Sequence, residues 1–149
     1  MPATVPVAVV DALNALFEAE QMSIFRFLKE GSPHLERADE TIKQQLDEMV
    51  RINRRHARET FNLITQLGGV PRARGAMPED PLLAFLSLKF LLPKLVETKK
   101  LCIERYENTR RSMGVPPPEV DDMFQRHLAD LQAELVTLEQ ANDRVAASR

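Results

Sequence analysis

An unbroken alternation of four-residue and three-residue steps runs through residues 42–67 of this chain. Positions spaced in this way share one side of an α-helix, so the segment predicts one long amphipathic helix. The positions on this side are Ile42, Leu46, Met49, Asn53, His56, Thr60, Leu63 and Leu67. Partner helices must cover this side, and they then enclose an amide, Asn53, and an imidazole, His56.

Three further segments have helical spacing and are bounded by turn residues. The first runs from about Pro6 to Glu30, where Gly-Ser-Pro follows. The third is expected over residues 80–113, because Asp80 is a good N-cap and a proline follows it at the first helical position. The fourth begins at Pro118 and places His127 on its apolar side. The sequence therefore predicts an all-α protein.

Loop lengths favour one arrangement of these helices. Short connections join the first helix to the second and the third to the fourth, which is typical of antiparallel hairpins. Residues 69–80 can extend about 40 Å at roughly 3.3 Å per residue. That is the length of a helix of about 26 residues at about 1.5 Å each. We therefore expect a single domain over residues 1–149, a four-helix bundle of two hairpins joined by a long crossover.

Composition and charge limit location and partners. The net charge is -2 and the pI is about 6.0, so no basic bias favours nucleic acid. The chain has one cysteine, Cys102, and its amino terminus lacks the basic region of a signal peptide. The most apolar run, residues 82–96, is too short and too interrupted to span a bilayer. We expect a cytoplasmic protein without membrane or nucleic-acid partners.

The same run suggests contact with a second subunit. Its apolar residues surround the helix instead of forming one stripe, which is typical of a helix buried on more than one side. Either residues 5–10 fold over it or a second copy of the chain does. We expect a homodimer.

Three stretches resemble a known group of helical proteins. They are "LNALFEAEQMSIFRFL" in the first helix, "HARETFNLITQLGGVP" at the end of the second and "FQRHLADLQAEL" in the fourth. Together they are similar to bacterioferritin-like and rubrerythrin-like members of the ferritin-like superfamily. The resemblance implies a ferritin-like four-helix bundle with the topology expected above.

The resemblance also implies a position for a metal site. Ferritin-like carboxylate proteins hold two metals with one Glu on each of two helices and Glu-x-x-His on the other two. The first-helix ligand would be Glu20. The second-helix motif reads Asn53-x-x-His56 and the fourth-helix motif reads Phe124-x-x-His127, so both motif glutamates are replaced.

The ligand from the third helix is open between two glutamates. Glu97 and Glu104 share one stripe of this helix with Lys94, whose ammonium would oppose a bound cation. Counting from the turns favours Glu104, whereas similarity around "VETKKLCIERY" favours Glu97. In the second helix, Glu48 is a substitute ligand.

Charge disfavours a two-metal centre. Two divalent cations carry four positive charges, whereas Glu20 and one third-helix glutamate supply two negative ones, and buried cations need compensation. We therefore expect a degenerate site without a cofactor, a hydrogen-bonded polar layer and a non-catalytic protein. The alternative is an oxidoreductase or iron-handling protein that binds iron, manganese or zinc. Its ligands would be Glu20, His56, His127 and Glu97 or Glu104.

Three other features have ordinary explanations. The arginines at 51, 54, 55 and 58 can bind phosphate, but Asp47 with Arg51 and Arg55 with Glu59 form i,i+4 pairs typical of a solvated surface. Cys102 is expected as a small buried apolar residue. Tyr106, the only tyrosine, is expected as a packing ring, with a hydrogen-bonding role beside a metal as the alternative.

Overall fold

The computed structural model describes residues 7–23, 25, 40–72 and 88–147. These residues form four α-helices and, within those ranges, no strand. The helices are α1 (Val7–Met22), α2 (Glu40–Gln66), α3 (Leu88–Ser112) and α4 (Pro118–Ala147). The expected all-α class is confirmed.

The described helix ends agree with the turn residues of the sequence. Helix α4 begins at Pro118, where proline loses no intrahelical hydrogen bond. Helix α2 ends just before two glycines. The expected end of the first helix near Glu30 and the expected N-cap at Asp80 lie outside the described residues.

The two glycines after α2 have different roles. Gly68 has a φ of 84°, a left-handed conformation that terminates helices and that other residues adopt at a cost. The amide of Gly69 donates to the Ile64 carbonyl at 2.9 Å and so satisfies an end of the helix. A Cβ atom at Gly69 would lie 2.5 Å from a methyl group of Val10, so this glycine permits the close approach of α1.

The helices pack as a ring of four neighbours. Helix α1 contacts α2 and α3, and α4 contacts the same two helices from the other side. Two aromatic contacts illustrate this: Phe17 of α1 meets Phe61 of α2 edge-on at 5.8 Å between ring centroids, and Tyr106 of α3 meets Phe124 of α4 at 5.3 Å. Each helix thus contributes to a shared interior.

The interior contains two apolar clusters. The first draws on all four helices, and the second draws on α2, α3 and α4 together with Phe25, which follows α1. One contains Val9, Leu13, Leu16, Phe17, Leu63, Ile64, Tyr106, Val120, Met123, Phe124 and Leu131. The other contains Phe25, Ile42, Leu46, Met49, Val50, Leu91, Leu92, Leu95, Leu138 and Ala141.

Six of the buried side chains that are polar or charged contact one another or line one small cavity. They are Glu20, His56, Thr60, Lys99, His127 and Glu134. We call these six residues the polar layer.

Some apolar side chains of α3 are not covered. Phe90 is 62% exposed and Leu101 is 55% exposed, whereas Leu91, Leu92 and Leu95 are fully buried. Within the described ranges, every helix is too short or too polar to cross a bilayer.

Candidate functional site

Three of the residues expected as metal ligands meet in the polar layer. Glu20, His56 and His127 are all almost completely buried. Phe124, which replaces one motif glutamate, is fully buried beside them. Asn53, which replaces the other, is half-buried and lines a small interior cavity together with Glu20 and His56.

The expected contribution of the third helix is corrected. Glu97, Glu104 and Lys94 are all exposed and lie outside the polar layer. The buried positions of α3 continue from the apolar cluster to Lys99 and Tyr106. Helical geometry turns the stripe of Glu97 and Glu104 away from this line, because residues two positions apart point in different directions.

Two expected positions on α2 also differ. Glu48, the substitute ligand, is exposed and forms an ion pair with Arg51, so it does not reach the layer. Arg51 therefore pairs with Glu48 and not with Asp47. The expected pair of Arg55 and Glu59 is present, with 3.7 Å between nitrogen and oxygen.

Tyr106 joins two of the expected ligands to each other. Its hydroxyl oxygen lies 2.7 Å from Oε1 of Glu20 and 2.9 Å from Nδ1 of His127. Its ring also packs edge-on against Phe124. Tyr106 is therefore both a packing ring and a bridge between α1 and α4.

His127 extends this chain of hydrogen bonds to the surface. Its Nε2 lies 3.0 Å from Oε2 of Glu59, and the same oxygen accepts a hydrogen bond from Arg126 at 2.8 Å. Partial burial opposes ionisation of Glu59, but the hydrogen bonds from His127 and Arg126 outweigh it and lower the pKa of this carboxyl. Glu59 is thus an ionised acceptor at neutral pH.

The partners decide where the protons lie. An ionised Glu59 can only accept, so Nε2 of His127 carries a proton. Burial, with the neighbouring His56, lowers the pKa of His127 to about 4, so the ring is neutral and Nδ1 is an acceptor. Tyr106 then donates to Nδ1 and accepts a hydrogen bond from Glu20. This arrangement requires a protonated Glu20.

The environment of Glu20 agrees with that assignment. Burial raises the pKa of Glu20 to about 8, although the hydrogen bonds between Glu20 and the hydroxyls of Tyr106 and Thr60 act in the opposite direction. The Thr60 hydroxyl lies 3.2 Å from Oε1 of Glu20 and 2.9 Å from the His56 carbonyl. At neutral pH the carboxyl keeps its proton, because ionisation of a buried carboxyl is costly.

The chain of hydrogen bonds can exchange one proton internally. If Glu20 transfers its proton to Tyr106 while Tyr106 transfers its own to Nδ1 of His127, the result is a carboxylate and an imidazolium. The tyrosine is unchanged by this exchange and no proton enters or leaves. The pKa values of about 8 for Glu20 and about 4 for His127 favour the neutral form. A protonated Glu20 and a neutral His127 are therefore the form expected at neutral pH.

His56 has a parallel arrangement. Its ring stacks on His127 with 3.8 Å between centroids, and its Nε2 lies 2.9 Å from Oδ2 of Asp130. Asp130 also accepts from Arg55 at 3.0 Å. Burial lowers the pKa of His56, so this ring is neutral and Nε2 donates to Asp130. Three of the four ring nitrogens of the two histidines thus have partners.

Lys99 and Glu134 form a buried ion pair beside the histidines. The ammonium lies 2.6 Å from Oε2 of Glu134 and 3.8 Å from the centroid of the Phe25 ring. Oε1 of Glu134 has no hydrogen-bond partner among the described residues. Neither residue was predicted from the sequence, although Glu134 continues the spacing of three and four between Leu131 and Leu138.

A small cavity lies against this pair. Its volume is about 20 Å³, enough for one water-sized group, and Glu20, His56, Cys102 and Glu134 are among its walls. Burial raises the pKa of the Cys102 thiol to about 11, so the sulfur is protonated and a poor metal ligand or nucleophile. Cys102, expected as a small buried apolar residue, is half-buried.

The described part of the chain contains no group of three or more His, Cys, Asp or Glu side chains arranged to hold a metal ion. No family model matches the chain, and neither a curated protein nor a solved structure matches it. The hydrogen bonds of the polar layer are therefore the main guide to function.

Proposed function

We propose that this chain is a ferritin-like four-helix bundle in which hydrogen-bonded protons replace a di-metal centre, and that it is not catalytic. One observation carries the proposal. The Tyr106 hydroxyl lies between Glu20 and His127, within hydrogen-bond distance of both, so it occupies the position where a shared metal would need to lie. Binding a metal there requires displacing the phenol and ionising Glu20.

Contacts between the helices support the ferritin-like topology. In three packed pairs, residue numbers rise along one helix as they fall along its neighbour. The contacts are Val10–Gly69 and Glu20–Thr60 for α1 and α2, Lys99–Glu134 and Tyr106–His127 for α3 and α4, and His56–Asp130 and Glu59–His127 for α2 and α4. Helices α2 and α3 then run in the same direction, as the ferritin-like topology requires.

Charge supports a metal-free layer. Of its two buried carboxyls, Glu20 is neutral at pH 7 and Glu134 is paired with Lys99. The layer therefore supplies almost no uncompensated negative charge to a divalent cation, and burying a cation without such charge is costly. The ammonium expected from Lys94 is provided by Lys99.

A single bound metal ion is the second candidate. The observation that favours it is the unpartnered Oε1 of Glu134, since this residue lines the small cavity together with Glu20, His56 and Cys102. Zinc, manganese and iron accept such mixed ligands. The ammonium of Lys99 in the same wall opposes it, as does the raised thiol pKa of Cys102.

Metal analysis distinguishes the two candidates. We expect tag-free protein, purified without chelator and then incubated with Fe(II), Mn(II) or Zn(II), to retain far less than one ion per chain after gel filtration. Two irons per chain with the absorbance of an oxo bridge would overturn the proposal. One ion per chain that is lost in Glu20→Gln but kept in Glu97→Gln would establish the single-metal alternative, because only Glu20 is in the layer.

A further inference from the structure

A cleft outside the core separates α1 from α2. Its volume is about 470 Å³, within the range of about 300–1,000 Å³ that is usual for small-molecule sites. Residues of its wall include Phe17 and Glu20 from α1 and Asn53, Arg54, Arg58 and Phe61 from α2. The cleft is therefore large enough for a ligand and is lined by both charged and aromatic groups.

Two arginines in this wall are unpaired within the described part of the chain. Arg54 and Arg58 are four residues apart and so share one side of α2. Neither has an ion pair or hydrogen bond to a described residue, whereas their neighbours Arg51 and Arg55 pair with Glu48 and Asp130. The two guanidinium groups are therefore available to an external anion.

Among the described residues, no carboxyl in the wall forms an ion pair with these arginines. Glu20 is the one carboxyl there, and its Oε1 lies 2.7 Å from the Tyr106 hydroxyl and 3.2 Å from the Thr60 hydroxyl, so it already has partners in the interior. With Arg54 and Arg58, the cleft carries a local positive charge although the whole chain has a net charge of -2. Such a local charge selects anionic ligands.

The other residues of the wall suit an apolar part of a ligand. Phe17 and Phe61 meet edge-on with 5.8 Å between ring centroids, and Phe61 is 43% exposed, so part of its ring is open to a ligand. Asn53 lies in the wall of both the cleft and the small interior cavity, and its amide has no hydrogen bond to a described residue. Asn53 thus offers a neutral donor and acceptor beside the aromatic rings.

We propose that this cleft binds a small organic carboxylate with an aromatic body. The carboxylate binds between Arg54 and Arg58, since a guanidinium matches its two oxygens. The ring system packs on Phe17 and Phe61, and the Asn53 amide contacts a polar substituent. This inference goes beyond the proposed function and does not depend on whether the polar layer holds a metal.

Titration of the full-length chain with 2-naphthoate tests the site. Naphthoate fluorescence anisotropy should report saturable binding at one site per chain. The neutral 2-naphthalenemethanol should bind at least tenfold more weakly, because a charge-assisted hydrogen bond contributes about that much. Inorganic phosphate at an equal concentration should not displace naphthoate, because it cannot contact the aromatic rings.

Matched variants locate the binding. Arg54→Gln and Arg58→Gln should each weaken naphthoate binding about tenfold, whereas Arg51→Gln, on the same helix but outside the cleft, should leave it unchanged. Phe61→Ser should weaken binding of the acid and the alcohol alike. The proposal is overturned by non-saturable binding up to millimolar naphthoate, by equal affinity for the alcohol, by displacement with phosphate, or by equal losses in Arg51→Gln and Arg54→Gln. Metal content is measured separately, so failure here leaves the proposed function standing.

Discussion

The hydroxyl oxygen of Tyr106 lies 2.7 Å from Oε1 of Glu20 in the interior of the bundle, although the two residues are 86 positions apart in sequence. Glu20 is on α1 and Tyr106 is on α3, so this hydrogen bond joins these two helices. Because Tyr106 also donates to His127, one hydroxyl group satisfies polar atoms on two helices. Its removal leaves both of them without that partner.

We expect Tyr106→Phe to lower the free energy of unfolding by about 2 kcal/mol, because a buried acceptor and a buried donor lose their partner. Urea denaturation monitored by circular dichroism measures the change. Thr137→Val is the control: its hydroxyl bonds only the Ala133 carbonyl of its own helix, at 3.2 Å. Equal effects of the two substitutions would contradict the bridging role of Tyr106.

Glu20 and His127 give opposite dependences of stability on pH. The folded pKa of Glu20, about 8, is above its ordinary 4.5, so its stabilising contribution is complete below pH 4.5 and is lost as the pH rises to about 8. The folded pKa of His127, about 4, is below its ordinary 6.5, so its contribution is complete above pH 6.5 and is lost as the pH falls to about 4. Between about pH 6.5 and 8, Glu20 imposes a slope and His127 does not.

In that window we expect the unfolding free energy of the wild type to fall by up to about 1.4 kcal/mol per pH unit relative to Glu20→Gln. A glutamine amide can still donate to Tyr106, as the protonated carboxyl does, so the variant should fold. Parallel pH profiles for the two proteins would show that Glu20 is ionised in the folded chain. Chemical denaturation at four pH values is sufficient for this comparison.

The buried Lys99–Glu134 ion pair predicts that one substitution lowers the stability of the fold strongly and that a second substitution restores it. Lys99→Met should destabilise the fold by about 3–5 kcal/mol, because it leaves a carboxyl buried without its cation. Adding Glu134→Leu should recover most of that loss. Arg72→Met, which breaks the exposed pair with Asp11, should cost less than about 1 kcal/mol. A failure of the double substitution to recover stability would mean that packing on Phe25, and not charge, holds Lys99.

The sequence located the inward residues of α2 and α4 because apolar neighbours on both sides define a stripe. Glu20, His56 and His127 were found in this way, and all are buried. On α3, counting from the turns favoured Glu104 and the resemblance favoured Glu97, and both are exposed. The apolar run before them surrounds the helix and does not favour either side, so only packing against α1 and α4 turns Lys99 and Tyr106 inward.

The hydrogen bonds of the polar layer depend on contacts across helices that spacing alone does not contain. Glu59 is next to Thr60, which lies on the inward side of α2, yet the Glu59 carboxyl contacts His127 on α4. The proton on Glu20 follows from burial and from the acceptor state of His127, which in turn follows from Glu59. A sequence pattern identifies these residue types but not the order in which they donate and accept.

The exposed apolar residues of α3 predict a dimer. Phe90 and Leu101 are more than half exposed, and covering them in a second subunit would remove apolar area from water. We expect light scattering to give the mass of a homodimer at micromolar concentration and that of a monomer for Phe90→Glu. Val115→Glu, at an apolar residue in the turn between α3 and α4, should remain dimeric. A wild-type monomer would refute this prediction.

The ferritin-like proposal predicts that a metal site can be rebuilt. Asn53→Glu with Phe124→Glu restores both Glu-x-x-His motifs, and Tyr106→Phe removes the hydroxyl between Glu20 and His127. Without metal this triple variant should be less stable than Tyr106→Phe alone, because new carboxyls are confined beside Glu20. Fe(II) or Mn(II) should raise its unfolding free energy, by about 2.7 kcal/mol at a concentration one hundred times the Kd, since the ion binds only the folded chain.

Two additions to that variant test which residues are ligands. Glu97→Gln should leave the metal-dependent stabilisation unchanged, because Glu97 is exposed. Lys99→Ala should strengthen it, because the ammonium lies in the wall of the cavity that Glu20 and His56 also line. If neither ion shifts thermal unfolding in any of these variants and none co-purifies, the likeness to ferritin-like proteins is limited to the fold, and His56 and His127 are arranged for hydrogen bonding alone.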